Sequence, residues 1–252
     1  MPAHYDYYDY PSYWEGREYE HNSEVAALRE MLDKIPKIRS LIDIGGGYGR
    51  LTPVYLYRAK KIVLCDPSAK LLKTARDKFG KNKNIHFVHS RLENLKKRFR
   101  ANSFDVAVLI RVIHHLEDPN QALKVINKIL KKRGYLIIEH ANKGHFKAVI
   151  TEMLKGNFTY PIDIFPKDIR CEKNIKKKTI PFINYHPDEI KKLLLENGFE
   201  IIERRSVSNF RSNFLKRILP FELLISIEKK SQKVLEKLNF GPSIFILARK
   251  IE

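Results

Sequence analysis

Between Leu41 and Arg50 the chain reads Leu-Ile-Asp-Ile-Gly-Gly-Gly-Tyr-Gly-Arg, a stretch that few folds accommodate. The apolar residues around Asp43 predict a short buried strand. Glycines at 45, 46, 47 and 49 then let the backbone turn sharply and admit a ligand close to it. Residues 50–59 predict a helix with Pro53 in its first turn. Strand, glycine turn and helix make the first unit of a Rossmann-like nucleotide site. A dinucleotide fingerprint begun at Gly45 finds its next glycine at Gly47 but meets Arg50 where it needs the third. The pattern present is D-x-G-x-G-x-G, over Asp43, Gly45, Gly47 and Gly49. A turn that is glycine-rich for packing alone has the same letters, so the later strands must decide.

A second apolar strand over 61–65 ends at Asp66-Pro67. Rossmann-like folds place a carboxylate about 20 residues beyond the glycine turn, where it accepts hydrogen bonds from ribose hydroxyls. Asp66 can also cap the following helix, with Pro67 at the first helical position, and the two roles are compatible. A third strand over 85–88 leads to Ser90-Arg91-Leu92, and a fourth over 106–110 leads to Arg111 and the pair His114-His115. Asp118-Pro119 starts a helix that Gly134 is expected to end, before a fifth strand over 135–139 and His140. Upstream, Ser23 is placed to cap a helix with Val25, Leu28, Met31, Leu32 and Ile35 on one face. Repeated strand–helix units of this kind predict a parallel sheet covered on both faces, with ligands at the carboxyl ends of its strands. Asp43, residues 45–49, Asp66, Arg91, Arg111 and His140 all fall at or near such ends.

The acid-glycine motif and the run Phe104-Asp105, apolar strand, Val112, His114-His115-Leu116, acid, Pro119 together resemble the class I S-adenosylmethionine-dependent methyltransferases. The likeness is to the small-molecule type, similar to the ubiquinone/menaquinone-biosynthesis methyltransferases, and covers residues 38–140 and 186–207. It implies an α/β, Rossmann-like doubly wound sheet of seven strands, mostly parallel with the last antiparallel, plus helical and loop insertions forming a cap. It implies S-adenosylmethionine as cofactor, held by Asp43, Gly45, Gly46, Gly47, Gly49, Asp66 and Pro67. Where many members carry an adenine-binding Asp this chain has Arg91, which moves that contact toward the backbone near Leu92. Arg111 joins the cofactor set. The tyrosine-rich start (positions 5, 7, 8, 10, 13 and 19, with Trp14) is either an arm packed on the body or a cap that closes Tyr13 and Arg17 over the cofactor. His114, His115 and His140 are the candidate bases, against a structural role for each.

At 252 residues the chain suffices for one large domain, divided into an amino-terminal cap and helix (1–37), a cofactor core (38–140), a lid insertion (141–185) and a carboxyl-terminal sheet half (186–252). Within that half, residues 208–241 predict two amphipathic helices broken near Pro220, where the family has a simple hairpin. Packing over the core is their expected use. A dimer face giving a homodimer, a membrane-surface face and a wall for a greasy acceptor are the alternatives. The expected reaction is methyl transfer to a small-molecule or lipid-like acceptor. With 48 Lys+Arg against 29 Asp+Glu, net +19, and a basic run at Lys173, Lys176, Lys177 and Lys178, RNA is the second choice of acceptor. No Asn-Pro-Pro-Tyr and no added RNA-binding domain support it. A cofactor-binding interaction protein without catalysis is the third reading. Two cysteines, no apolar run of roughly 18 residues and no secretory signal make the cytoplasm the default, with no transmembrane segment and no metal site expected.

Overall fold

The computed structural model describes Asp6, residues 9–176 and residues 179–252. Tyr5, Tyr7, Tyr8, Lys177 and Lys178 lie outside the described residues. In chain order the elements are α1 (Glu18–Asp33), β1 (Ile38–Ile44), α2 (Thr52–Tyr55), β2 (Ala59–Asp66), α3 (Ala69–Phe79), β3 (Ile85–His89), α4 (Leu95–Arg98), β4 (Phe104–Leu109), α5 (Pro119–Ile129) and β5 (Leu130–Ala141). They continue with α6 (Phe146–Leu154), β6 (Lys167–Asp168), α7 (Glu172–Lys176), β7 (Ile183–Asn184), α8 (Pro187–Glu196), β8 (Phe199–Val207), α9 (Asn213–Ile218), α10 (Phe221–Glu236) and β9 (Ser243–Lys250).

Seven strands form one sheet in the order β3-β2-β1-β4-β5-β9-β8. All the pairings are parallel except those of β9, which runs antiparallel to both β5 and β8. This is the expected Rossmann-like sheet with its last strand reversed. Alternation along each strand sends side chains to two covered faces. Ile42, Ala107, Leu136 and Ile246 point to the layer of α4, α5 and α8, whereas Leu41, Val108, Ile137 and Phe245 point to that of α1, α2 and α3.

Several boundaries differ from the sequence expectation, each for a local reason. Ser23 caps nothing: α1 starts at Glu18, and the Ser23 hydroxyl is buried in it, donating to the Tyr19 carbonyl (2.7 Å). The helix expected over 50–59 shortens to Thr52–Tyr55, with tight turns on either side (Thr52 N–H to Gly49 O, Arg58 N–H to Tyr55 O), and Tyr55 turns inward to hydrogen-bond Asp43. Ser68, not Asp66, caps α3 by accepting the Leu71 N–H (3.1 Å), so Pro67 precedes the helix. Gly134 does not end α5, which stops at Ile129 and passes directly into β5. It sits instead in a bulge of β5, where the register with β4 jumps and Arg133 takes φ +56°.

Both insertions have structure. In the first, Lys143 is buried and its ammonium donates to the Asp163 carboxylate (2.6 Å) and to the carbonyls of Asp163 (2.8 Å) and Phe165 (2.7 Å). These bonds fasten the segment to the end of β5, and β6 pairs antiparallel with β7 further along. In the second, α9 and α10 break at Pro220 as expected, and α10 packs on α1 and β8. The fully buried Glu228 joins them. Its carboxylate accepts from Tyr19 Oη (2.7 Å), from the N–H groups of Ser208 (2.9 Å) and Asn209 (3.1 Å), and from Gln232 Nε2 (3.3 Å). Burial raises the Glu228 pKa, and the Tyr19 and Gln232 bonds oppose that rise. Glu228→Ala strands several buried donors, each costing about 1–3 kcal/mol. The expected result is a loss of about 2–4 kcal/mol in urea unfolding, whereas a loss below about 0.5 kcal/mol would mark the site as surface-like.

Candidate active site

The carboxyl ends of β1, β2 and β4 and the loop after β3 enclose a cleft of 790 Å³. Its floor is Gly45 and Gly47. Asp66, Pro67 and Leu71 stand on one side with Ser90, Arg91 and Leu92, and Ile110, Arg111 and Val112 stand on the other. His115, Leu116 and Gln121 extend it outward, and the lid insertion roofs it with Arg170, Ile175 and residues 179–181. Tyr10 closes the remaining side.

Around the turn, each glycine has its own reason. A Cβ on Gly45 would come within 2.3 Å of Val112, one on Gly46 within 2.6 Å of Asp43, and one on Gly49 within 2.7 Å of Phe79. Gly46 and Gly49 are therefore packing positions behind the turn and do not line the cleft. Gly47 is different: its φ is +55° and the nearest atom to an added Cβ is 3.6 Å away, on Leu71. Its N–H donates to Asp66 Oδ2 (2.9 Å), while Ser68 N–H donates to Oδ1 (2.7 Å). Asp66 is thus held by backbone with lone pairs remaining on both oxygens.

Asp43 also lies behind the turn, not in the cleft, with its carboxylate accepting from Tyr55 Oη. Burial, and secondarily the charge of Asp66, push the Asp43 carboxyl up to about 6, against the Tyr55 bond. Burial also raises Asp66 to about 6, against its bonds to Ser68 and Gly47.

The three candidate histidines separate. His114 is 3% exposed and outside the cleft lining, with its ring centroid 4.6 Å from that of Phe182. Burial, then the neighbouring His115 and Arg111, drive its pKa well below the imidazole range. His140 is fully buried, and burial lowers its pKa to about 3. Neither lines the cleft. Only His115 reaches the cleft. Its Nδ1 lies 2.7 Å from the Pro181 carbonyl, an acceptor, so Nδ1 is the donor in that bond.

Tyr13 and Arg17 do not line the cleft either. Arg17 lies over the Tyr13 ring (4.2 Å), and Tyr13 stacks on Tyr10 (5.9 Å), so they support the side chain that does. Asp6 ties the same arm to α3, accepting from Ser68 Oγ (2.6 Å). Behind them Trp14 has the Arg50 guanidinium at 3.5 Å from its ring centroid and that of Arg111 at 4.8 Å. Both guanidiniums pair with the buried carboxylate of Glu24, each at 2.5 Å. Burial alone would raise the Glu24 pKa, but Arg111 and Arg50 outweigh it and hold the group below the carboxylate range. Arg111 itself takes φ +59°, its N–H donating to Glu139 Oε2 (2.8 Å).

Pattern reading missed Glu24, Tyr10 and the lid residues. Glu24 sits in a helical stretch with no motif around it, and residues 170–181 have no periodicity to read. Among the described residues, no three His, Cys, Asp or Glu side chains gather as a metal site, and no helix is long and apolar enough to cross a membrane.

Residues 42–138 match the family described as "Methyltransferase domain". Over 237 residues the chain is 24% identical to the tRNA 5-carboxymethoxyuridine methyltransferase of Escherichia coli K12, spanning 89% of this chain and 87% of that one. It is 28% identical over 171 residues to the ubiquinone/menaquinone biosynthesis C-methyltransferase UbiE of Vibrio cholerae, with 64% of each chain spanned. Among solved structures, an S-adenosylmethionine-dependent methyltransferase from Thermotoga maritima is similar with a TM-score of 0.62, across 99% of this chain and 98% of that one. At 21% identity that likeness concerns the fold.

The raised Asp43 carboxyl makes stability depend on pH. Its pKa is 3.8 ordinarily and about 6 in the folded chain, so the folded state holds the proton more tightly. That contribution is complete below about pH 4 and is lost as pH rises through about 6. Asp43→Asn cannot ionise. In the ligand-free protein its stability relative to wild type should therefore climb by about 2–3 kcal/mol between pH 4 and pH 7, read from urea unfolding. A gap independent of pH would show that Asp43 is ionised throughout.

Proposed function

We propose that residues 42–138, which match a methyltransferase domain, use S-adenosylmethionine, and that the protein methylates a small-molecule or lipid-like acceptor admitted beneath residues 179–181. The observation that carries this reading is the roof: the lid insertion covers the cleft, so an acceptor must fit between Pro181 and the strand ends. Ile110, Val112, Leu116, Ile175 and Ile180 give that space apolar walls. A cytoplasmic enzyme accords with its two free cysteines.

The residues present fit the cofactor. Asp66 offers lone pairs for two ribose hydroxyls. Pro67 and Leu71 with the Leu92 segment form an apolar slot for a purine, and the open face of Gly47 leaves room for the methionine end beside Tyr10. S-adenosylmethionine supplies an electrophilic sulfonium methyl when bound. The chain's part is then to orient and to exclude water. Orientation of two reactants is worth roughly 7–11 kcal/mol, more than a general base at about 10²–10⁴-fold. His115 is the side chain placed to take a proton from the acceptor.

RNA is the second reading. It is favoured by the length over which the Escherichia coli tRNA methyltransferase aligns, 89% of this chain, and by the net charge of +19. The deciding assay incubates the enzyme with radiolabelled S-adenosylmethionine and a cell extract, then partitions products. Label in the organic-extractable fraction supports the main reading. Label in RNA alone overturns it in favour of the second, and cofactor binding with no transfer at all points to an interaction protein.

Asp66→Ala should weaken S-adenosylhomocysteine binding by about 10- to 100-fold in calorimetry, at 1.5–3 kcal/mol for a charged hydrogen bond. An affinity within about twofold of wild type would leave Asp66 as a brace for Gly47 alone. His115→Ala should leave that affinity near wild type and slow transfer by about 10²–10⁴-fold. An unchanged rate would assign the whole effect to positioning.

A further inference from the structure

A second pocket, of 480 Å³, opens where the two inserted segments meet beyond β5, β8 and β9. His145, Lys147, Ser208 and Arg211 are in its walls, and no carboxylate is. None of the ion pairs among the described residues involves Lys147 or Arg211. His145 registers the same excess of positive charge: burial, then Arg211 and Lys147, lower it to about 4. Its neutral ring caps α6 by accepting the Ala148 N–H at Nδ1 (3.3 Å), which makes Nε2–H a donor. The amino end of α6 adds its own partial positive charge. Ser208 gives an independent sign of a ligand. It lines the pocket, is 3% exposed, is held at φ +63°, and its Oγ has no hydrogen-bond partner. A buried hydroxyl in that state calls for a partner.

The ground on either side is apolar and uncovered. No residue of α6 is buried. Leu154 is 84% exposed, and Phe158, Ile162 and Phe165 after it are 72%, 77% and 75% exposed. Across the pocket, Phe214 and Ile218 of α9 are 67% and 60% exposed. Phe146, at the start of α6, stacks on Phe240 (5.1 Å) and joins the two sides. A cationic pocket between exposed apolar side chains matches the two chemistries of a bilayer surface, anionic headgroups and acyl chains. RNA would use the cations and leave the apolar groups in water. A second copy of the chain would set a net charge of +19 against +19.

We propose that this face docks on an anionic phospholipid surface. A headgroup phosphate is taken by Lys147, Arg211 and the Ser208 hydroxyl, while α6, the loop after it and α9 rest at the acyl boundary. The docking does not depend on the acceptor: an enzyme held at a membrane can methylate a lipid or a soluble molecule.

The test is flotation of the full chain with vesicles of phosphatidylcholine alone and of phosphatidylcholine mixed with phosphatidylglycerol. The mixed vesicles should carry the protein and the neutral ones should carry far less. K147Q/R211Q should weaken binding about 30-fold, at ~1 kcal/mol for each charge at the surface. L154S/F214S should weaken it as well, with thermal melts and S-adenosylhomocysteine affinity near wild type in both double variants. K124Q/K128Q removes the same charge from exposed positions of α5 and should bind as wild type does. Absence of binding to the mixed vesicles overturns the proposal, as does an equal loss in K124Q/K128Q, which would reduce the effect to net charge. Light scattering that shows a dimer dissociated by L154S/F214S would give the face to a second copy. A tRNA mobility shift abolished by K147Q/R211Q, with vesicle binding intact, would give the pocket to nucleic acid.

Discussion

Glu24 has no access to water, and four separate parts of the chain meet on or around it. Its helix, α1, brings the carboxylate. The glycine turn ends at Arg50, the loop beyond β4 brings Arg111, and the amino-terminal arm lays Trp14 against both guanidiniums. A buried charge left alone costs several kcal/mol, so each member of this group is tolerable only because the others are present. The consequence for the cleft is mechanical. Arg50 fixes the exit of the glycine turn, Arg111 fixes the entry to the His114-His115 loop, and Trp14 anchors the arm that delivers Tyr10. Remove the carboxylate, and two partly buried guanidiniums lose the charge that pairs them.

The same arrangement divides the cleft into a rigid floor and a separately attached roof. Strand ends β1, β2 and β4 hold the floor of the cleft rigidly, through backbone bonds such as those from Gly47 and Ser68 to Asp66. The roof belongs to a segment attached at a distance, by Lys143 to the 163–165 turn and by His115 to the Pro181 carbonyl. Residues 208–241 do not line the cleft. Through Glu228 they lock α10 over α1 and β8, and they leave their other face outward. The first insertion therefore roofs the cleft, and the second closes the core.

Much of this was legible in the sequence. Asp43, the glycines and Asp66 predicted the turn and the acid beside it, because strand periodicity and backbone sterics are local. The seven mostly parallel strands and the reversed last strand followed from the family resemblance. What sequence could not show was long-range. Arg50 read as a missing third glycine, whereas its work is with Glu24, 26 residues earlier. His114 and His140 read as candidate bases because a histidine's burial does not appear in its letter. Tyr13 and Arg17 were on the right arm but one layer too far out, with Tyr10 the ring that reaches the cleft. Gly134 looked like a helix stop, and the tertiary register of β4 and β5 made it a bulge instead.

The central claim is that the glycine turn and Asp66 seat S-adenosylmethionine under the lid. A crystal structure with S-adenosylhomocysteine bound tests it most directly. The ribose hydroxyls should lie within hydrogen-bond distance of both Asp66 oxygens, with the purine between Pro67 and the Leu92 segment and the sulfur facing His115 beneath residues 179–181. A nucleoside found elsewhere, with Asp66 still bonded only to Gly47 and Ser68, would contradict the account.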